Sequence, residues 1–437
     1  MNLRGTPPSS TRILDANAWR PGQDAESELI ARRVRVLGPS YRLFYRQPLE
    51  IVRGHGTRLW DAEGREYLDV YNNVASVGHT HPHVVEAIAR QAAVLTTHTR
   101  YLDRGIVAYA ERLLALLPDP IDRAVFTCSG SEANDLAVRV ARAATGQRGV
   151  IVTEEAYHGN TALVTGMSPS LGVGVGPEVV TVPAPDPMAA PHRSFAAGVR
   201  AGIERLAAQG LRPAALLLDS ILSSDGVHPA LDLAEAVAAV RAAGGVVIAD
   251  EVQPGFGRTG SAMWGFARHD VVPEIVTLGK PMGNGMPIAA VLAQAAVLEP
   301  FSAGEPYFNT FGGTQVSIAA ADAVLDVLER EGLQAHAAAV GRELRALLDE
   351  LAVVHRSIAD VRGDGLFIGL QLREDDGSPG TALAADVINL LRQRGVLTSV
   401  CGAHGDTLKL RPPLPFSRAD AARLADELDG VLGDLEA

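Results

Sequence analysis

Apolar positions along the chain change their period several times, and each change predicts an element. Residues 57–70 alternate around a turn at Ala62-Glu63-Gly64, which predicts a small hairpin. Over 82–97 the apolar residues recur at helical spacing. Short apolar runs then alternate with amphipathic stretches: a strand at 124–128, a helix at 132–144, a strand at 150–153, a strand at 214–218, a helix at 233–243 and a strand at 245–249. Two more apolar runs fall at 275–278 and 288–292. Strand–helix alternation of this kind argues for a mostly parallel sheet covered on both faces. After a turn-rich stretch at 302–313, residues 315–330 read as a long helix. Beyond it, helices are expected at about 335–352, 381–394 and 418–433, and strands at about 366–372 and 407–411. The expected organisation is an α/β protein in three parts. Residues 1–25 form an N-terminal arm, 76–324 a large domain, and 26–75 with 325–437 a smaller α+β domain built from both ends of the chain.

Composition narrows the function classes. Over 437 residues, 47% are hydrophobic and 21% charged, as in ordinary globular chains. The net charge of −12 argues against nucleic acid or anionic membrane as partner, since both require a basic surface. Two cysteines, Cys128 and Cys401, cannot build a disulfide framework or a thiolate metal site, so no metal is expected. With no apolar run of 18 residues and no leader-like N-terminus, the expectation is a cytoplasmic protein. Of the 39 basic residues only Lys280 and Lys409 are lysines. Lys280 lies in a stretch poor in charge, Glu274-Ile-Val-Thr-Leu-Gly-Lys-Pro-Met-Gly-Asn-Gly285, an odd place for a solubilising side chain.

Asp250 ends a buried-type strand in Ile248-Ala-Asp-Glu-Val-Gln253, on the ligand edge of an open parallel sheet. A lone Asp there is also an ordinary cap or turn former. Thirty residues on stands Lys280. This pair suits pyridoxal 5'-phosphate: the lysine forms a Schiff base, and the carboxylate keeps the pyridine nitrogen protonated. The cofactor phosphate wants backbone donors at a helix start, which Cys128-Ser-Gly-Ser-Glu-Ala-Asn134 offers. Tyr157-His158-Gly159 supplies an aromatic to stack on the ring. Each segment alone is common; the four in this order are not.

That order, continued by Asn309-Thr-Phe-Gly-Gly, resembles the class III aminotransferase family of fold-type I pyridoxal-phosphate enzymes, over about residues 30 to 430. The resemblance implies Lys280 as the Schiff-base lysine, Asp250 on the pyridine nitrogen and Gln253 on the ring hydroxyl. It implies Tyr157 and Val252 on the two ring faces, with His158 beside them. Gly130 and Ser131 would hold the phosphate, joined by Thr310 of a neighbouring subunit, which requires a homodimer with the active site at its interface.

Within the family, the likeness leans toward phospho-lyases acting on phosphoethanolamine or phosphohydroxylysine. It is carried by Asn72-Asn-Val-Ala-Ser-Val-Gly-His-Thr-His-Pro82, Phe256-Gly-Arg-Thr-Gly260, Met263-Trp-Gly-Phe266, Arg362-Gly-Asp-Gly-Leu-Phe-Ile-Gly369 and residues 397–413. Family transaminases hold a substrate carboxylate with an Arg just before a Pro-Pro-Leu turn, and gate it with a Glu. Here those places fall at Lys409 and Ser224, with Arg411 two residues on. The expected reaction is elimination of phosphate from an O-phosphorylated primary amine. The runner-up is an ω-aminotransferase using an oxo-acid such as pyruvate. A racemase on the same scaffold is a further alternative; a non-catalytic module that binds the cofactor would keep Lys280 while losing the pocket, and intact Tyr157, Asp250 and Gln253 speak against it. Arg42, with Tyr41 beside it, is a candidate for the substrate phosphate, as are Lys409 and Arg411; an ordinary surface arginine is the plain alternative for Arg42. His79 and His81 are candidate pocket residues or structural ones.

Overall fold

The computed structural model describes residues 17–20, 27–185 and 194–437. Its centre is a seven-stranded sheet in the order Ile121–Thr127, Ala289–Gln294, Ile275–Leu278, Val246–Asp250, Pro213–Leu218, Gly149–Thr153, Val179–Val182. Ala289–Gln294 runs antiparallel to both neighbours, and the other strands share one direction.

Alternate side chains of one strand serve two different cores, as the pleat dictates. Val150 and Val152 pack with Leu136, Ala137 and Leu217 beneath helix Gly130–Thr145. Ile151, Leu216 and Leu218 point the other way, toward helices Phe195–Ala208 and Leu233–Ala242. Both faces are therefore dry, which is why these strands read as continuous apolar runs. Each fully buried Val, Leu or Ile contributes roughly 1.5–3 kcal/mol.

The two ends of the chain meet in smaller sheets. Ile51–His55, Arg58–Asp61 and Glu66–Asp69 form an antiparallel set, and Val396–Leu397 joins it in parallel beside Glu66–Asp69. The hairpin turns where the sequence reading puts it, with Gly64 N–H donating to Asp61 C=O. A third sheet is antiparallel, in the order Ile358–Asp364, Phe367–Leu372, Thr407–Leu410, Ser399–Cys401. Helices Leu333–Val354 and Thr381–Gln393 pack on it, and Arg418–Glu436 packs on those two helices.

Most of the arm expected over 1–25 lies outside the described residues. Residues 17–20 do not hang loose: Trp19 N–H donates to Leu43 C=O at 2.8 Å, and Tyr45 N–H to Asn17 C=O at 2.9 Å. Two other expectations shift. The helix begun at Pro82 ends at Ala92 rather than near 97, because the chain turns to bring Thr97 N–H onto Gln315 Oε1 at 2.8 Å. Helix Ala295–Gly304 runs into the stretch read as turns, with Pro300 inside it masking the helical pattern. Among the described residues, no helix is long and apolar enough to cross a membrane.

Candidate active site

Strands Pro213–Leu218, Val246–Asp250 and Ile275–Leu278 end side by side, and a cavity of about 380 Å³ opens at their carboxyl edge. Asp250 sits on its floor, 4% exposed. Its Oδ2 accepts from Asn134 Nδ2 at 2.8 Å and from His158 Nδ1 at 2.7 Å, and its Oδ1 accepts from Val252 N–H at 3.1 Å. Three donors fix it in rotation. His158 Nε2 is buried without a partner among the described residues, so the ring meets its surroundings through Nδ1 at Asp250.

Asn134 lies one turn inside helix Gly130–Thr145 and is 1% exposed. It also donates to His158 C=O at 2.8 Å and accepts from Thr277 Oγ1 at 2.7 Å. It therefore ties the helix, the Tyr157-His158 loop and the lysine-bearing strand to one carboxylate. The sequence reading quoted Asn134 only as the end of a motif and gave it no role.

The start of that helix faces the cavity. Ser129 Oγ caps Glu132 N–H at 3.3 Å, while the Glu132 carboxylate reaches back to Cys128 N–H at 3.0 Å. This reciprocal cap leaves the N–H groups of Gly130 and Ser131 at the positive end of the helix, a ready seat for a phosphate. The wall here is tight. A Cβ on Gly130 would meet Val252 Cγ2 at 3.0 Å, and one on Gly159, whose φ is +133°, would fall 2.5 Å from Ser131 Oγ.

Lys280 follows strand Ile275–Leu278 by two residues and lines the same cavity, half-buried. Burial, and then repulsion from Arg411, lower its ammonium to about 8, although Asp250 and Asp219 pull it back up. A Lys poised near neutrality is what a Schiff-base nucleophile and proton carrier require. Tyr157 and Val252 also line the cavity. Burial first, and then Asp250, raise the Tyr157 phenol. Gln253 lines it too; its Oε1 accepts from the Arg411 guanidinium and from Asn73 Nδ2 at 3.4 Å, leaving its amide NH₂ for the cavity.

Lys409 and Arg411 lie behind Asp219 and Gln253 rather than in the cavity wall. Lys409 is 3% exposed, with Nζ 5.8 Å from the Phe367 ring centre. Among the described residues no carboxylate pairs with it, and burial, then Arg411, push it down to about 7. The Arg411 guanidinium rests 4.4 Å from the Tyr71 ring centre. Ser224 is buried, and its C=O accepts from Gly402 N–H at 3.0 Å.

Other candidates lie apart. Tyr41 and Arg42 are exposed, and Arg42 lines a separate cleft of about 270 Å³ with Tyr71 and Asn72. Thr310 is exposed and does not line its own chain's cavity, although neighbouring Asn309 donates to Glu132 Oε1 at 3.3 Å. His79 pairs with Asp69 at 2.7 Å and His81 with Glu331 at 3.0 Å, outside the cavity.

The donor set fits pyridoxal phosphate. A helix start stands ready for its phosphate, a fixed buried carboxylate for its ring nitrogen, and an amine of lowered pKa for its aldehyde.

The family described as Aminotransferase class-III matches residues 44–432. The chain is 41% identical to the alanine–glyoxylate aminotransferase 2-like protein of Drosophila melanogaster, covering 91% of this chain and 85% of that one. It is 36% identical to ethanolamine-phosphate phospho-lyase homolog 1 of Caenorhabditis elegans, covering 93% and 94%. A phospholyase from Arthrobacter, solved in complex with phosphoethanolamine, superposes with a TM-score of 0.89 at 43% identity, over 93% of this chain and 99% of that one. The chain thus belongs to the class III aminotransferase family of pyridoxal-phosphate-dependent enzymes.

Proposed function

We propose that this enzyme is a phospho-lyase that removes phosphate from an O-phosphorylated primary amine such as phosphoethanolamine, giving an aldehyde, ammonia and phosphate. The observation that carries the reading is the charge behind the cavity. Lys409 is a buried amine without a paired carboxylate, Arg411 stands beside it, and the position of a gating glutamate is taken by Ser224. Two desolvated cations suit a dianionic phosphate better than the singly charged carboxylate of an oxo-acid substrate. The Arthrobacter phospholyase, crystallised with phosphoethanolamine, supports the same reading.

When bound, the cofactor supplies an electron sink next to the amine-bearing carbon. Gly130 and Ser131 would hold its phosphate, Asp250 its ring nitrogen, and Tyr157 and Val252 its two faces. Lys280 then acts as base at the amine-bearing carbon, where an ammonium lowered to about 8 gives up its proton at small cost. Lys409 and Arg411, behind the wall, make the cavity favourable to the substrate phosphate and to the charge it carries as the C–O bond breaks. Water completes the balance: one amine phosphate and one water give one aldehyde, one ammonium and one phosphate. No oxo-acid takes part. A homodimer belongs to this reading, with exposed Thr310 reaching the cofactor phosphate of the neighbouring subunit.

The Drosophila relative's name favours a second reading, transfer of the amino group to an oxo-acid such as pyruvate or glyoxylate. Coupled detection of acetaldehyde and ammonia from phosphoethanolamine, without oxo-acid, decides between them. Continuous production of both supports the lyase. Amino-acid formation that depends on an added oxo-acid, with no acetaldehyde, overturns it.

A further inference from the structure

Gln253 lines the cavity with an amide, and an amide can face a cavity in two ways. Oxygen inward offers an acceptor; nitrogen inward offers a donor. The chain behind the wall decides between them. Gln253 is 7% exposed, and the Arg411 guanidinium donates to its side-chain oxygen. A guanidinium carries N–H donors and no acceptor, so the amide atom that faces it must be the oxygen. Asn73 Nδ2 adds a second donor to that oxygen at 3.4 Å. The amide nitrogen is thereby turned into the cavity, and among the described residues nothing accepts from it.

Arg411 is itself held from several sides. Its N–H donates to Val70 C=O at 2.9 Å. The carbonyl of the next residue, Pro412, accepts from Nη1 of fully buried Arg258 at 2.6 Å. The Arg411 guanidinium lies 4.4 Å from the centre of the Tyr71 ring. Asp69 Oδ1 fixes the Tyr71 turn, accepting from Tyr71 N–H at 3.0 Å and from Asn72 N–H at 2.9 Å. Arg411 is 6% exposed, and among the described residues no carboxylate pairs with it. Burying a guanidinium without a carboxylate beside it is costly. A neutral glutamine could bond Gln253 at smaller cost, but it both donates and accepts, and so would leave the facing amide free to turn. Only a side chain that donates and never accepts dictates the amide's direction.

Pyridoxal phosphate leaves one group for that nitrogen to meet. With the phosphate at the helix start, the ring nitrogen at Asp250 and the aldehyde at Lys280, the ring hydroxyl is the polar group still without a partner. We propose that Arg411 is a positioning residue that locks the Gln253 amide with its nitrogen toward the ring oxygen of the cofactor. Arg411 acts through Gln253, and Tyr71 and Arg258 hold it in place. The inference rests on the cofactor assignment and is independent of whether the reaction is elimination or amino transfer.

The test titrates the full-length apoprotein with pyridoxal phosphate and with its 3-deoxy analogue, which lacks the ring hydroxyl, followed by tryptophan fluorescence. The ratio of the two dissociation constants isolates the bond to the ring oxygen from a general loss of fit. The wild type's preference for pyridoxal phosphate should exceed that of Gln253→Ala by about tenfold or more. Arg411→Lys, which also donates and never accepts, should keep most of that preference. Arg411→Gln should fall to within about twofold of Gln253→Ala, and adding Arg411→Gln to Gln253→Ala should change the ratio no further. A merely structural Arg411 would weaken both ligands alike and leave the ratio where it stands in the wild type. Should Arg411→Gln fail to fold, Arg411→Met, which orients neither end of the amide, carries the same comparison. A wild-type ratio in Arg411→Gln, or a loss in Arg411→Lys as large as in Arg411→Gln, overturns the role of Arg411. Equal ratios in the wild type and Gln253→Ala overturn Gln253 as the partner of the ring oxygen, and the inference with it.

Discussion

Asn134→Ala is the substitution whose consequences the geometry fixes most tightly. The side chain is 1% exposed and makes three hydrogen bonds of 2.7–2.8 Å, to Asp250, His158 and Thr277. Truncation leaves the His158 carbonyl and the Thr277 hydroxyl short of a buried partner, a cost of about 1–3 kcal/mol for each group left unmade. It also removes one of the three donors on Asp250. A hydrogen bond to a charged group contributes about 1.5–3 kcal/mol, and its loss falls on the carboxylate that would hold the cofactor ring. The dissociation constant for pyridoxal phosphate should then rise by about 10- to 150-fold. The assay is a titration of apoprotein with the cofactor, followed by absorbance or by quenching of tryptophan fluorescence. Thermal unfolding of the apoprotein reports the structural share separately. Thr277→Val is the companion: it removes only the donor to Asn134 Oδ1, leaves Asp250 with all three of its own, and should weaken cofactor binding much less. Cofactor affinity unchanged in Asn134→Ala, with lowered thermal stability, would refute the claim that Asn134 acts through Asp250.

Lys280→Ala should lose the visible band of the lysine-linked cofactor and at least about 10²- to 10⁴-fold in turnover. A retained band would assign the linkage to Lys409, the only other lysine. Gly159→Ala places a Cβ against Ser131 at a φ of +133° and should cost about 1–3 kcal/mol with weakened cofactor binding. Gly146→Ala, left-handed but with open space around it, should cost only about 1–2 kcal/mol and leave the cofactor alone; calorimetric scans of both variants check the contrast. Burial alone would lower the His355 imidazole, but its hydrogen bonds to Asp429 and Glu436 outweigh that and hold it above its ordinary value. Its contribution is therefore full below the unfolded value of about 6.5 and is lost as pH climbs through the folded one. The melting-temperature gap between wild type and His355→Gln should be wide near about pH 6 and narrow near about pH 9, and a gap that widens with pH would contradict the assignment.

The parts of the fold legible in the sequence are those whose signal is local. Helix Gln315–Arg330 and strand Ile275–Leu278 begin and end where their apolar patterns do, because burial along each is nearly unbroken. Strand Val396–Leu397 was not legible: it is two residues long, and its partner Glu66–Asp69 lies more than three hundred residues away. The site divides in the same way. Lys280, Asp250, Gly130 and Tyr157 stand in short motifs that can be picked out in place, and the fold brings all four to one cavity. The binding of Asn134 to Asp250 spans 116 residues and that of His158 to Asp250 spans 92, so no spacing rule links them. Arg42 shows the opposite case. Read as a candidate for the substrate phosphate, it lines a cleft with Tyr71 and Asn72 rather than the cavity around Lys280.

The central claim is that the cations behind the cavity serve a leaving phosphate. Its most direct measurement is inorganic phosphate released from phosphoethanolamine by the enzyme with pyridoxal phosphate and no oxo-acid. The account predicts steady release over many turnovers, abolished in Lys280→Ala and impaired in Lys409→Met. Absence of phosphate release, with amino transfer from the same amine to added pyruvate, would contradict it and return the enzyme to aminotransferase chemistry.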